Sequence, residues 1–124
     1  MSNDHCDILK FSIESLPPSW NRLYKKGKGR IYKDKSVWEP FLWSVQISIR
    51  GAVLPGNQYS LSCLLRMHRQ HEGDVDNSSK SIGDALQELG VIANDKLIFE
   101  SNWRKEIVDF HTPVSTDVVL TKLS

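Results

Sequence analysis

The sequence is poor in the residues that small secreted or metal-stapled proteins depend on. It has only two cysteines, Cys6 and Cys63, far apart and outside any metal-ligand spacing, which argues against a disulfide framework or a zinc ribbon and predicts reduced thiols. Of its four histidines, His68 and His71 lack the HExxH pattern of a zinc protease and read as loop residues. No apolar run approaches the roughly 18 residues of a membrane span, and the polar, acidic stretch Met1–Asp7 has no leader character. A soluble, cytoplasmic protein without a membrane anchor is therefore expected. Repeats and low-complexity tracts are missing too. Gly27 and Gly29 lack the GK[ST] ending of a Walker loop, and Ser78, Ser79 and Ser81 lack the glycines of a nucleophile elbow.

What remains is ordinary globular composition: 124 residues, 40% hydrophobic and 25% charged. That length suits one domain over residues 1–124, which buries roughly two-thirds of the surface of its unfolded chain. The net charge of +1 argues, taken alone, against a nucleic-acid protein. Its distribution reverses that argument. Arg22, Lys25, Lys26, Lys28, Arg30, Lys33 and Lys35 face only Asp34 within fourteen residues, a local balance of +6, while the other 110 residues hold nine basic and fourteen acidic side chains, −5. Segregated charge makes a strong local field, and that field steers polyanions. Trp20, Tyr24, Tyr32 and Trp38 flank or interrupt the run and Gly27 and Gly29 loosen its middle, a composition suited to gripping phosphates and stacking on bases. The alternative is a solvated loop.

Periodicity organises the rest. Leu9, Phe11 and Ile13 alternate with polar residues as in a half-buried strand, which Pro17-Pro18-Ser19 ends. Ser36 to Glu39 has the form of a capping box, and Pro40 suggests a regular helix from near Glu39 to a stop at Gly51. Tyr59 to Met67 reads as a buried strand, Asp76 to Leu89 as the most regular helix, closed by Gly90. A strand from Leu97 to Phe99, extending toward Ile107, and another from Val114 to Leu120 complete the chain. The expected architecture is α+β: a single mixed sheet of about four strands packed with two main helices.

The chemistry-bearing stretch runs from Gly73 to Asp95. Asp76, Lys80 and Asp84 are spaced by four residues and form a row along one side of the helix, opposite its apolar face. Asp74 and Asp76 stand at the strand-to-helix junction, and a return strand near Asp95 can bring a third carboxylate beside them. Three such carboxylates repel one another unless a proton or a hard divalent cation neutralises them, and oxygen ligands suit Mg²⁺ or Mn²⁺. An EF-hand is excluded, because counting from Asp74 puts Ser79 and Ala85 where glycine and glutamate belong. The plainer alternative makes Asp76 a helix cap and Lys80 and Asp84 surface ion pairs.

The order of these parts resembles the RusA-type Holliday-junction resolvase family. The resemblance covers most of the chain: the early strand, Pro17-Pro18-Ser19-Trp20-Asn21-Arg22-Leu23-Tyr24, the basic stretch, the D-x-D-N-x-x-K element Asp74 to Lys80, then Asp84-Ala85-Leu86 and Gly90-Val91-Ile92 leading to Asp95. It implies a homodimeric, Mg²⁺-dependent endodeoxyribonuclease, with Mn²⁺ as a possible substitute, that resolves four-way DNA junctions in recombination and repair in a bacterial or phage-infected cell. Asp74, Asp76 and Asp95 would be its metal-binding catalytic carboxylates and Lys80 its catalytic lysine. A DNA-binding segment at about 20–36 would use Trp20, Asn21, Arg22, Tyr24, Lys25, Lys26, Lys28, Arg30, Lys33 and Lys35. One departure stands out: Asn94-Asp95 replaces the family's usual acidic pair, although the Asn94 amide oxygen can still meet a metal. Two competing classes are a branched- or single-stranded-DNA-binding module that does not cut, and a metal-dependent phosphohydrolase of small substrates.

Overall fold

Along Tyr59–Met67 burial alternates without interruption: Tyr59, Leu61, Cys63, Leu65 and Met67 are buried, and the residues between them half-buried. That period of two, in a stretch rich in β-formers and leucine, makes the strand and points one face at the core. The structure, a computed structural model, describes residues 7–18, 20–69 and 75–124, without the side chains of residues 20–21 and 75–79. Its strands are β1 (Ile8–Ile13), β2 (Tyr24–Gly27), β3 (Arg30–Lys33), β4 (Tyr59–Met67), β5 (Ile98–Ile107) and β6 (Ser115–Lys122); its helices are α1 (Trp20–Leu23), α2 (Lys35–Ile49) and α3 (Val75–Glu88).

Four strands form one mixed sheet in the order β1-β6-β4-β5. The first three pair antiparallel, whereas β4 and β5 are parallel and joined through α3. Phe11 and Ile13 of β1 and Val118 and Leu120 of β6 join the inward row of β4. Trp38, Phe41, Val45 and Ile49 of α2 and Ile82, Ala85 and Leu86 of α3 complete the same core cluster. The mixed four-stranded α+β sheet with two main helices thus stands as expected. On the sheet's other face Arg66 holds Asp117 (2.8 Å) and Glu106 (3.1 Å), and Ser12 donates to Asp117 at 2.7 Å. No helix among the described residues is long and apolar enough to cross a membrane. Cys63 is a free thiol, pushed up to about 12 by burial; Cys6 and His71 lie outside the described residues.

Local structure corrects the sequence reading in three places. The basic stretch is an ordered hairpin, β2 paired antiparallel with β3. Lys28 (φ 51°) and Gly29 (φ 79°) form its two-residue turn, both in the left-handed region that such tight hairpin turns require. Second, α2 starts at Lys35, capped by Asp34, whose carboxylate accepts from the Ser36 N–H (3.0 Å) and hydroxyl (2.6 Å). Asp34 outcompetes the Ser36 box because its own carbonyl already accepts from Val37 and Trp38. Pro40 therefore lies inside the helix, depriving only the exposed Ser36 carbonyl of a partner. Third, Asp95 opens a short 3-10 turn, Asp95–Leu97, rather than a strand.

Candidate active site

The site is assembled by the crossover from α3 to β5. Gly90 (φ 77°) ends α3 in a Schellman motif: its N–H donates to Gln87 O and that of Val91 to Leu86 O, at 3.1 and 2.9 Å. Val91 and Ile92, both buried, pin the chain against the core. Asn94 then caps the 3-10 turn by accepting the Lys96 N–H at 2.9 Å, and the Gln87 side chain accepts the Asp95 N–H at 2.8 Å. Asn94 thus spends its amide oxygen on the turn, so its place beside Asp95 is explained by backbone geometry. The turn sets Asp95 against α3 at Gly83, where an added Cβ would stand 3.4 Å from the Asp95 Cβ.

Lys80, Gly83 and Asp95 line one open cleft of about 290 Å³ with Leu61, Ile98, Ser101 and Trp103. Its base is the apolar edge of β4 and β5, and its rim carries one ammonium and one carboxylate. The Trp103 indole N–H is buried there with no hydrogen-bond partner. The Asp95 carboxyl is raised above its usual range, first by partial burial and then by the neighbouring Asp84, with Lys80 and Lys96 opposing. Neighbouring carboxylates in a partly buried site favour a proton or a cation between them.

Asp84 is far from an ordinary surface acid. Its side chain is 15% exposed and gathers three groups: the Tyr24 hydroxyl donates to it at 3.0 Å, Lys33 Nζ lies at 3.6 Å, and Lys80 Nζ at 3.8 Å. Burial, the hydrogen bond to Asp84 and the charges of Asp84 and Asp95 push the Tyr24 phenol up to about 12, so it stays a donor. Lys33 also sits 3.9 Å over the Trp38 ring, and the Trp38 indole N–H donates to Glu88 of α3 at 3.2 Å. Two paths therefore join the hairpin to α3. By strand alternation Lys26 and Ile31 share the face of Tyr24 and Lys33, while Lys25 and Tyr32 project from the other. The expected cations are thus divided between two faces of a hairpin rooted beside the cleft. Lys28 and Arg30 are exposed at its tip, Arg22 is exposed on α1, and Lys35 is exposed at the start of α2.

Of the expected catalytic residues, the structure brings together Lys80 and Asp95. Asp74 lies outside the described residues; Asp76 belongs to the first turn of α3, with its side chain outside them, as are those of Trp20 and Asn21. Among the described residues no group of three His, Cys, Asp or Glu side chains is placed to hold a metal. The donors that are described, carboxylate oxygens in a half-dry cleft, fit a hard divalent cation rather than a soft one. Sequence reasoning did not assign Tyr24 and Lys33 as partners of Asp84, nor Ser101 and Trp103 as cleft walls.

The chain is 30% identical over 103 residues, 80% of its own length and 81% of the relative's, to the crossover junction endodeoxyribonuclease RusA of Aquifex aeolicus (strain VF5). It belongs to the RusA family. No family model matches it. For a RusA-family chain the cleft's composition is apt, since a nuclease must bring a polyanion to carboxylates without being repelled, and here cations from two elements stand beside them.

Proposed function

We propose that this RusA-family protein is a divalent-metal-dependent endodeoxyribonuclease that resolves four-way DNA junctions by paired cuts, acting as a homodimer with one site per subunit. The observation that carries the reading is the meeting of Lys80 and Asp95 in one cleft, with the cationic hairpin anchored on its rim through Asp84. Asp74, Asp76 and Asp95 would hold the metal, Mg²⁺ or Mn²⁺, which when bound supplies positive charge to acidify a water and to offset charge on the phosphodiester. Hydrolysis forms one bond from water oxygen to phosphorus and breaks one ester bond, and the leaving oxygen ends protonated. Lys80, half exposed at the cleft mouth, can place its ammonium on the phosphate or on that leaving oxygen. Lys26 and Lys33, on the site-facing side of the hairpin, would hold phosphates beside the cleft and Lys28 and Arg30 the backbone farther out; Lys25, Lys35, Arg22, Trp20 and Asn21 would meet flanking arms.

A two-fold dimer suits a junction whose arms have approximate two-fold symmetry, because it offers identical sites to opposed strands. A synthetic mobile junction tests the reading. The wild-type chain should cut it only with Mg²⁺ or Mn²⁺, and Asp76→Asn should bind without cutting. Undiminished cutting by that variant would remove Asp76 from the site; binding without cutting by the wild-type chain would leave a DNA-binding module.

A further inference from the structure

Asp84 lies between the element that would grip DNA and the residues that would cut it. It is one turn beyond Lys80 on α3, next to Gly83 where the Asp95 side chain meets the helix, and sixty residues from the Tyr24 hydroxyl that donates to it. We infer that Asp84 is a positioning residue, the latch that seats the β2–β3 hairpin on the reaction cleft and holds the Lys80 ammonium at its mouth. The inference rests on the proposed assignment of this cleft to DNA cleavage.

Among the described residues the root of the hairpin is held by the Asp34 N–H donating to Leu23 O at 2.7 Å, by Lys33 over Trp38, by Tyr24 packed against the core, and by Tyr24 and Lys33 reaching Asp84. Beyond that base its residues are largely exposed. A two-stranded ribbon is marginal by itself, so its orientation follows whatever holds its root. Of these contacts, those with Asp84 tie it directly to a residue that also pairs with Lys80 and adjoins Gly83, where Asp95 meets α3. A charge-assisted hydrogen bond from a partly buried phenol is the strong member of the set, and the two ammonium contacts add charge balance. Without the carboxylate, Lys33 and Lys80 lose their common counter-charge, which loosens the root of the hairpin and turns the Lys80 ammonium from the cleft mouth while the hairpin keeps its cations.

Three variants test this in the full-length protein: Asp84→Asn, Tyr24→Phe and the double substitution. Each single variant should slow single-turnover junction cleavage about tenfold, the scale of one lost charge-assisted bond, while junction affinity changes less than about threefold because every cation remains. Since both substitutions break the same latch, the double variant should be no slower than the worse single one. Amide exchange over residues 24–33 should quicken in each variant, with β4 and β6 unchanged. Additive losses, hairpin exchange identical to wild type, or a cleavage defect explained wholly by weaker binding would overturn the latch. A wild-type chain that never cuts with Mg²⁺ or Mn²⁺ would instead defeat the nuclease reading, and the exchange measurement judges the latch without any cutting. Should Asp84→Asn unfold, Tyr24→Phe breaks the same contact from the other element and decides alone.

Discussion

Replacing Gly83 by alanine separates stability from chemistry in this cleft. Gly83 lies inside α3 and is buried, and a Cβ there would meet the Asp95 Cβ at 3.4 Å, Ile98 Cδ1 at 3.5 Å and the Asp95 carboxylate at 4.0 Å. These are ordinary van der Waals distances, so the methyl fits without displacing backbone. Alanine also removes the entropic penalty of glycine in a helix, about 0.8–1 kcal/mol. Gly83→Ala should therefore stabilise the fold by about 1 kcal/mol, raising Tm by about 3–5 °C for a chain of this length. The same methyl narrows the cleft between Lys80 and Asp95 and limits how far the carboxylate can turn. Displacements of about 1 Å in a reacting group cost on the order of a hundredfold in rate; restricting the carboxylate's rotation without displacing it should cost less, on the order of a few-fold. Calorimetry and single-turnover cleavage of a labelled junction read the two effects in parallel. A variant that melts higher and cuts at the wild-type rate would refute the placement of the reaction in this cleft, and one that melts lower would refute the packing between α3 and Asp95.

Three further outcomes follow from named contacts. Replacing Lys26, Lys28 and Arg30 together with alanine should weaken junction binding and flatten its salt dependence by about 0.9 in log–log slope per lost phosphate contact; fluorescence anisotropy across a salt series checks this, and an unchanged slope would show that these side chains meet no phosphate. The Asp117 carboxyl is held below its usual value of 3.8, first by the hydrogen bond from Arg66 and then by that from Ser12. A depressed folded-state pKa gives stability that is present above the unfolded value and lost as pH falls through the folded one, so melting temperatures should drop below pH 3.8 and Asp117→Asn should blunt that drop. Ser81, 3% exposed, donates to Pro18 O at 2.8 Å; Ser81→Ala leaves that carbonyl without its donor and should cost about 1–2 kcal/mol in urea unfolding, whereas an unchanged midpoint would mean the Pro17-Pro18 segment does not depend on α3.

The sequence was most legible where one physical period dominated. Alternation exposed β1, a short apolar-rich run exposed β4, and the three-four spacing of Ile82, Ala85, Leu86 and Leu89 exposed the inner face of α3, because each pattern records burial of a single element. Caps and turns were less legible since they depend on competition among neighbours: Asp34 displaced Ser36, and a Lys-Gly turn shaped as a hairpin what composition presented as a loose loop. Asn94 is a similar case. Beside an aspartate in a proposed metal site it looks like a weakened ligand, yet its oxygen closes the 3-10 turn that aims Asp95.

The contacts that define the site belong to a level that periodicity does not encode. Spacing shows that Lys80 and Asp84 share a side of α3, and i,i+4 pairs of that kind are usually solvated and weak. Nothing in that spacing shows that Tyr24 and Lys33, from the far end of the charge distribution, converge on the same carboxylate. Their convergence changes the electrostatic problem. A chain with a +6 segment and a −5 remainder could keep the two apart, leaving the cleft to repel DNA. Here the fold roots the cationic hairpin on Asp84, the residue after the cleft-lining Gly83, so under the proposed function a phosphate drawn to the hairpin would arrive near Lys80 and Asp95. The near-neutral total thus conceals a hairpin whose Lys33 is paired with Asp84 while Lys28 and Arg30 stand exposed at its tip, a local field open to a polyanion.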